Sequence, residues 1–153
     1  AAIVTEYLIK KTSKNYKAGW ITKGSGDSGI DFIGRMDIGT GFGSAKVIVL
    51  GQAKCESLNS PTGGNHIART VAKLKRGWLG VYVTTSYFSD PVQIEILEDK
   101  YPLLLINGKK LAEVVNEIVF EQGYKNVAEY LKKVNSEYEG AIQYRDPEEI
   151  LFE

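Results

Sequence analysis

Val47-Ile-Val-Leu-Gly-Gln-Ala-Lys54 indicates the architecture of the chain, because it is apolar on both faces until its last three residues. A continuous apolar run of this kind is typical of a central strand that is covered on both sides. Gln52 and Lys54 share one face of the strand, since alternate side chains point the same way. Two polar side chains that emerge from so apolar a strand need hydrogen-bond partners or a chemical purpose.

The patterns on either side of this strand, 46–54, predict an α/β fold. Before it we expect one helix and two strands, over 1–11, 16–22 and 30–38. After it we expect strands over 79–84 and 103–106, and helices over 65–76, from Ser89, over 107–123 and over 126–137, with one further turn from Pro147. The result is a mixed central sheet, an antiparallel meander followed by crossover strands, flanked by helices in a single domain of residues 1–153.

Residue counts exclude several kinds of site. The 153 residues contain one histidine, His66, and one cysteine, Cys55, so no zinc cluster and no internal disulfide can form. A serine triad would have to use His66, and no G-x-S-x-G elbow accompanies it. A bound metal would therefore need oxygen ligands, which favours magnesium, manganese or calcium. We also expect a cytoplasmic protein without membrane contact, since no apolar run approaches the ~20 residues of a bilayer span.

Charge is divided unevenly along the chain. Residues 1–76 hold 12 Lys and Arg against 5 Asp and Glu, whereas residues 77–153 hold 7 against 14. A basic half is what a phosphate-facing surface requires. The same blocks could be solvated faces without a partner, so charge alone does not decide the function.

Two glycine patterns resemble nucleotide-binding motifs in the wrong context. Gly24-Ser-Gly-Asp-Ser-Gly29 matches the dinucleotide fingerprint, which needs a helix to follow it, but a strand is predicted from Ile30. Gly39-Thr-Gly-Phe-Gly-Ser-Ala-Lys46 lacks the Gly-Lys-Ser/Thr ending of a P-loop and also runs into a strand. Both stretches are better explained as hairpin turns that need positive φ, so no nucleotide cofactor is expected.

Asp31 and the stretch Gln52-Ala53-Lys54 form the constellation that points to chemistry. If strands 30–38 and 46–54 pair through a hairpin, the start of one lies beside the end of the other, and Asp31 meets Gln52. A carboxylate oxygen, an amide oxygen and the Ala53 carbonyl are hard ligands suited to Mg²⁺, and a neighbouring lysine can orient water and offset phosphate charge. The alternative is that Gln52 and Lys54 merely reach solvent, with Asp31 in an ordinary ion pair.

At these residues the sequence resembles the Mrr-like branch of the PD-(D/E)XK nuclease superfamily. That branch has a G-D-x-G-x-D strand, a Q-x-K or E-x-K strand, a strand ending in T-T-S, and a late strand that runs into a helix. The four matching stretches occur here in the same order, over 24–31, 47–54, 80–86 and 103–111. Gln-Ala-Lys, separated from the aspartate by twenty residues, is most similar to the motif in the catalytic domains of MspJI-family modification-dependent restriction endonucleases.

The resemblance implies a restriction-endonuclease-like fold and a Mg²⁺-dependent DNA endonuclease, with Mn²⁺ able to substitute. Asp31 and Gln52 would be metal ligands together with the Ala53 carbonyl, and Lys54 would be the catalytic lysine. Some relatives add a glutamate from the first helix, which here would be Glu6.

Other residues near the motif are weaker candidates. Contacts to DNA are expected from His66, Arg69, Lys73, Thr84 and Ser86, although surface positions without a role, or capping of the next turn, explain them equally well. Asp37 shares a strand face with Asp31 and is a further candidate ligand, whereas Asp27 is expected to brace its turn.

The resemblance also implies partners. Hydrolysis of both strands of double-stranded DNA needs two sites, so we expect a homodimer or a larger homo-oligomer. The abrupt apolar start of the first helix suggests a fragment of a longer type II or type IV restriction enzyme, with a separate N-terminal DNA-recognition domain. The alternatives are a junction-resolving or repair nuclease of the same fold, and a DNA-binding module whose site has decayed.

Overall fold

The computed structural model describes residues 1–13, 15–22 and 29–153. In these residues five strands form one sheet: β1 (Tyr16–Ile21), β2 (Phe32–Ile38), β3 (Ala45–Lys54), β4 (Leu79–Thr84) and β5 (Leu103–Ile106). The α-helices are α1 (Ala2–Thr12), α2 (Gly64–Val71), α3 (Asp90–Glu98), α4 (Gly108–Glu121) and α5 (Val127–Tyr138). Short 3₁₀ turns cover Gly41–Gly43, Glu139–Ala141 and Pro147–Phe152. Among the helices described, none has the length and apolarity to cross a bilayer.

The strands lie in the sheet in the order of the sequence, from β1 to β5. The pairs β1/β2 and β2/β3 are antiparallel. The pairs β3/β4 and β4/β5 are parallel, and their crossovers contain α2 and α3. This arrangement is an antiparallel meander followed by crossover strands, so the predicted α/β fold with a mixed sheet is confirmed.

The central strand β3 is buried on both faces, as its apolar sequence predicted. Val49, which is 0% exposed, packs in a cluster with Phe32 and with residues of α1 and α4. Ile48 and Leu50, each 1% exposed, lie on the opposite face in a second cluster that includes Ile150. Side chains from both layers therefore fix the strand that ends in Gln-Ala-Lys.

A buried arginine attaches residues 147–152 to the open face of the β1–β3 meander. Arg35 is 2% exposed, and its Nη1 donates to the carbonyl oxygen of Ile150 at 2.8 Å. Its Nε and Nη2 donate to the two carboxylate oxygens of Asp37 at 2.7 and 2.9 Å. The turn predicted from Pro147 is thus present. Asp37, which the sequence suggested as a further ligand, is paired with Arg35.

The helix starts predicted at Asn107 and Asn126 are confirmed, whereas the helix predicted over 65–76 differs from α2 at both ends. The side chains of Asn107 and Asn126 cap α4 and α5 by accepting backbone N–H groups. By contrast, α2 begins at Gly64 with Gly63 as its N-cap, and Asn65 lies in the first turn. Helix α2 also ends earlier than predicted, at Val71. The chain then forms a tighter turn, in which the Lys73 N–H donates to the carbonyl of Thr70, three residues before it.

Positive φ angles occur in the β2–β3 hairpin, at Gly39 (78°) and Gly41 (57°), as expected for a turn that favours glycine. The other predicted turn, with Gly24, Gly26 and Asp27, lies outside the described residues except for Gly29, whose φ is 52°.

Candidate active site

The register of β2 and β3 brings Asp31 to the Gln-Ala-Lys end of the central strand. Phe32 pairs with Gly51, and the backbone N–H of Asp31 donates to the Gly51 carbonyl at 2.8 Å. The backbone N–H of Ala53 donates in turn to Oδ2 of Asp31 at 2.7 Å. The carboxylate and the strand end therefore lie side by side, as the hairpin argument predicted.

A cleft of about 270 Å³ opens beside this carboxylate. It is lined by Asp31, Ala53, Thr22 and Tyr138 together with the first residues of α1. Asp31 is half-buried, so its side chain is held by the strand end without being sealed from solvent. Water and a phosphate oxygen can therefore reach it.

Helix α2 covers the two polar side chains of β3. The Thr70 hydroxyl donates a hydrogen bond to Oε1 of Gln52. Nζ of Lys54 lies 2.8 Å from Nε2 and 3.0 Å from Nδ1 of His66. His66 and Thr70 are four residues apart on α2, which corresponds to a rise of about 6 Å along the helix. Residues two apart on a strand, such as Gln52 and Lys54, are separated by nearly the same distance. Both contacts can therefore form at once when α2 runs antiparallel to β3.

Gly29 allows the chain to pass close to Gln52 and Lys73. A Cβ atom at this position would lie 2.9 Å from Nζ of Lys73 and 3.3 Å from Nε2 of Gln52. Lys73 therefore adds a positive charge next to the Gln52 amide. Arg69, one turn earlier on α2, is exposed.

The Ala53 carbonyl is directed toward the same side of β3 as Asp31. Carbonyl groups alternate along a strand. That of Lys54 faces β4, where it accepts the N–H of Thr85 at 3.2 Å, and that of Gly51 faces Asp31. Ala53 shares the direction of Gly51, so its carbonyl, the Asp31 carboxylate and the second acceptor site of the Gln52 amide offer oxygen ligands of the type that Mg²⁺ prefers.

Within residues 1–13, 15–22 and 29–153, no three acidic, histidine or cysteine side chains converge on one point that could hold a metal. Glu6 is paired with Lys10 at 2.6 Å and lies near Tyr16, whose pKa is raised by burial and further by the Glu6 charge. A metal held here would therefore rely on an amide and a backbone carbonyl in addition to the single carboxylate of Asp31.

Two hydroxyl groups expected at the DNA surface are buried. Thr84 is 0% exposed and its hydroxyl donates to Glu56 at 3.1 Å. Ser86 is 4% exposed and its hydroxyl donates to the Ser60 carbonyl at 2.5 Å. These positions argue against direct phosphate contacts from either side chain.

Sequence reasoning missed Glu56, which is two residues beyond Lys54. Its Oε1 lies 3.9 Å from Nζ of Lys54, and its side chain is 14% exposed. The alternation of side chains along the strand could have identified it. Residues 52, 54 and 56 would share one face if the extended chain continued two residues beyond the end of β3.

Comparison with known proteins identifies the family and supports the fold. A restriction endonuclease family, Mrr_cat, matches residues 4–115. The structure of the MspJI restriction endonuclease in complex with a 27-mer oligonucleotide has a TM-score of 0.92 and 41% sequence identity, covering 99% of this chain and 34% of that chain. The DNA modification-dependent restriction endonuclease AspBHI has a TM-score of 0.67 and 23% identity, covering 87% of this chain and 34% of that chain.

No curated protein sequence matches the chain. The chain spans about a third of the length of the two restriction enzymes whose structures it resembles. The likeness to AspBHI concerns the fold alone, whereas the family match covers most of the chain, including Asp31, Gln52 and Lys54. The chain therefore belongs to the Mrr_cat family of restriction endonucleases.

Proposed function

We propose that this domain hydrolyses phosphodiester bonds in double-stranded DNA with the help of Mg²⁺, for which Mn²⁺ can substitute. The observation that carries the proposal is the convergence of Asp31, Gln52 and Lys54 at one end of β3, in a member of a restriction endonuclease family. Asp31 Oδ, Gln52 Oε1 and the Ala53 carbonyl would hold the cation. A bound Mg²⁺ would supply Lewis acidity at a phosphate oxygen and promote ionisation of water.

Lys54 contributes a positive charge next to these ligands. Its Nζ lies against His66, on the same face of β3 as the Gln52 amide. An ammonium group in this position can orient the attacking water and offset the negative charge that builds on the phosphorus oxygens. Water attacks phosphorus and the 3′ oxygen leaves, which gives a 5′-phosphate and a 3′-hydroxyl.

DNA would approach along the basic edge formed by His66, Arg69 and Lys73. These residues are three and four positions apart, which places them on one side of α2 and of the turn that follows it. Arg69 is exposed. A positive edge next to an opening lined by Asp31 suits a substrate that carries one negative charge per nucleotide. The buried hydroxyls of Thr84 and Ser86 have no part in this surface.

The domain would act as the catalytic part of a modification-dependent restriction enzyme, because its Gln-Ala-Lys motif resembles that of the MspJI-family enzymes and the MspJI structure matches the chain at 41% identity. A second, N-terminal domain would then recognise the modified base. A homodimer or larger assembly would present two sites to the duplex, and sedimentation of the chain with and without DNA measures that assembly.

Cleavage of supercoiled plasmid DNA tests the proposal. We expect nicked and linear products with Mg²⁺ or Mn²⁺, none with EDTA, and a loss of at least about 100-fold in rate for Lys54→Ala. Lys46→Ala is the matched control, since Lys46 is exposed at the other end of the same strand and donates to the Leu151 carbonyl at 2.6 Å. Wild-type cleavage by a folded Lys54→Ala variant would remove the assignment.

A further inference from the structure

Glu56 is a carboxylate that the proposed hydrolysis does not use and that is nearly withdrawn from solvent, with 14% of its side chain exposed. Its Oε2 accepts hydrogen bonds from the hydroxyls of Thr62 and Thr84. Both threonines are 0% exposed, so these hydroxyls are fixed by the core. The carboxylate is therefore held in one orientation.

The backbone of Glu56 is held as firmly as its side chain. Its N–H donates to the Thr85 hydroxyl at 2.8 Å, and that hydroxyl donates to the Glu56 carbonyl at 2.7 Å. Thr85, the residue that follows β4, is thus bonded to both the N–H and the carbonyl of Glu56. The backbone of Glu56 is therefore fixed relative to the end of β4.

The remaining carboxylate oxygen faces a cation. Oε1 of Glu56 lies 3.9 Å from Nζ of Lys54, and the same Nζ lies 2.8 Å from Nε2 of His66. A buried carboxylate is costly unless it is hydrogen-bonded and balanced by an opposite charge. The two threonine hydroxyls supply the hydrogen bonds and Lys54 supplies the charge.

We propose that Glu56 is a positioning residue for Lys54: it fixes the ammonium group between its own carboxylate and the His66 ring, next to Gln52. The role rests on the proposed nuclease function, because it assigns Glu56 an effect on the reaction only through Lys54. A lysine side chain has several rotatable bonds, so fixing it in one rotamer costs conformational entropy. If Glu56 holds that rotamer before the substrate arrives, the entropy is not lost in the chemical step.

Two other roles would give different results. A purely structural Glu56, which pins residues 57–62 through Thr62, would lower stability without changing Lys54. A Glu56 that binds the metal itself would weaken Mn²⁺ binding when it is changed. The test therefore measures cleavage, metal affinity, stability and the chemical behaviour of Lys54 in the same variants.

The first variant is Glu56→Gln, whose amide oxygen can still accept the threonine hydroxyls while the charge is lost. We expect its single-turnover cleavage rate to fall about 10- to 100-fold, as is usual when a supporting group is removed from a catalytic residue. Affinity for DNA in Ca²⁺ and affinity for Mn²⁺ should stay within about 2-fold of wild type. Glu56→Asp keeps the charge and should recover part of the rate.

The second readout is acetylation of Lys54 by an activated acetate ester, followed by mass spectrometry and expressed relative to the exposed Lys132. In Glu56→Gln the released Lys54 should be acetylated at least about 3-fold faster than in wild type. Glu113→Gln is the matched control, since Glu113 pairs with Lys110 on the surface, at 3.7 Å, and should leave the ratio unchanged.

An unchanged Lys54 ratio in folded Glu56→Gln overturns the proposal, and so does a wild-type cleavage rate or a clear loss of Mn²⁺ affinity. Thr84→Val, which removes one hydroxyl that holds Glu56, gives the same comparison if Glu56→Gln does not fold. If the wild-type chain cuts no DNA with any divalent cation, the proposed function fails. The acetylation ratio still decides whether Glu56 holds Lys54.

Discussion

The hydroxyl of Thr70 donates a hydrogen bond to the amide oxygen of Gln52, and so fixes the orientation of that amide. Thr70 is 0% exposed and lies on α2, whereas Gln52 lies two residues before the end of the central strand. The contact aims one lone pair of the amide oxygen at the helix and leaves the other for a cation. Thr70 is therefore a supporting residue for the weakest ligand of the proposed site.

Replacement of Thr70 by valine should lower cleavage without unfolding the domain. The two side chains have the same shape, but valine leaves the Gln52 amide free to rotate, and loss of such a supporting hydrogen bond typically costs 10- to 100-fold. Thr70→Ser keeps the hydroxyl and should stay near the wild-type rate. Single-turnover rates in Mg²⁺ measure the difference, and equal rates for the valine and serine variants would contradict it.

Gln52→Glu should tighten metal binding in the absence of DNA. The neutral amide leaves Asp31 as the single formal charge among the proposed ligands, so affinity for the free cation should be weak and DNA phosphate should supply the missing charge. We expect positive coupling between metal and DNA on the order of 1–3 kcal/mol in wild type, and less in Gln52→Glu. Calorimetric titration of Mn²⁺ with and without a duplex measures it. Identical titrations for both proteins would exclude Gln52 as a ligand.

Lys73→Ala should weaken DNA binding and reduce its dependence on salt. Lys73 lies next to Gln52 at the end of the basic edge, and each lost phosphate contact lowers the slope of log K against log salt by about 0.9. Lys132→Ala, an exposed lysine in the acidic half of the chain, is the control. Fluorescence anisotropy across a salt series gives both slopes, and an equal loss for the two variants would mean that the charge asymmetry has no role in binding.

Tyr82→Phe should reduce the fall in the free energy of unfolding at alkaline pH. Burial, together with the nearby charges of Glu56 and Asp31, raises the pKa of Tyr82 to about 12, above the ~10 of an exposed tyrosine. Because its pKa is raised in the folded state, protonated Tyr82 contributes to the free energy of unfolding. This contribution, on the order of 2 kcal/mol, is complete below pH ~10 and is lost as pH rises from about 10 to 12. Among the described residues its hydroxyl has no hydrogen-bond partner, so the phenylalanine variant should not be destabilised at neutral pH.

Urea unfolding at pH 8 and pH 11 tests the Tyr82 prediction. The wild-type free energy of unfolding should fall more between the two values than that of Tyr82→Phe. Tyr144→Phe, at a site that is 78% exposed, should behave as wild type. An equal fall in Tyr82→Phe and wild type would show that Tyr82 has the same pKa in the folded and unfolded chains, against the expected shift.

The fold could be predicted from local patterns because each strand has a clear signal. The run Val47–Leu50 identified the central strand, and the hairpin through Gly39 and Gly41 fixed its register with β2, which brought Asp31 to Gln52. The metal and DNA roles of these residues stay predictions. What the register does establish is that the side chains lie together.

Contacts made by other elements could not be read from the sequence. The burial of Glu56 depends on Thr62 and Thr84, which reach it from a loop and from the neighbouring strand. The start of α2 differs from the predicted one because its N-cap, Gly63, gives no side-chain signal, whereas Asn65, where the helix was predicted to begin, lies in the first turn. Propensity identifies the elements, and tertiary packing decides which polar groups meet.

The attachment of Ile150 to Arg35 has a consequence for biosynthesis. The cluster that covers one face of β2 and β3 contains Ile33, Leu50 and Ile150, so part of that layer is encoded about a hundred residues after the strands it protects. The cluster on this face of the meander therefore stays incomplete until residue 150 has left the ribosome. A nascent chain can form the strand pairs early, but it cannot complete the layer behind the proposed active site before Ile150 is synthesised.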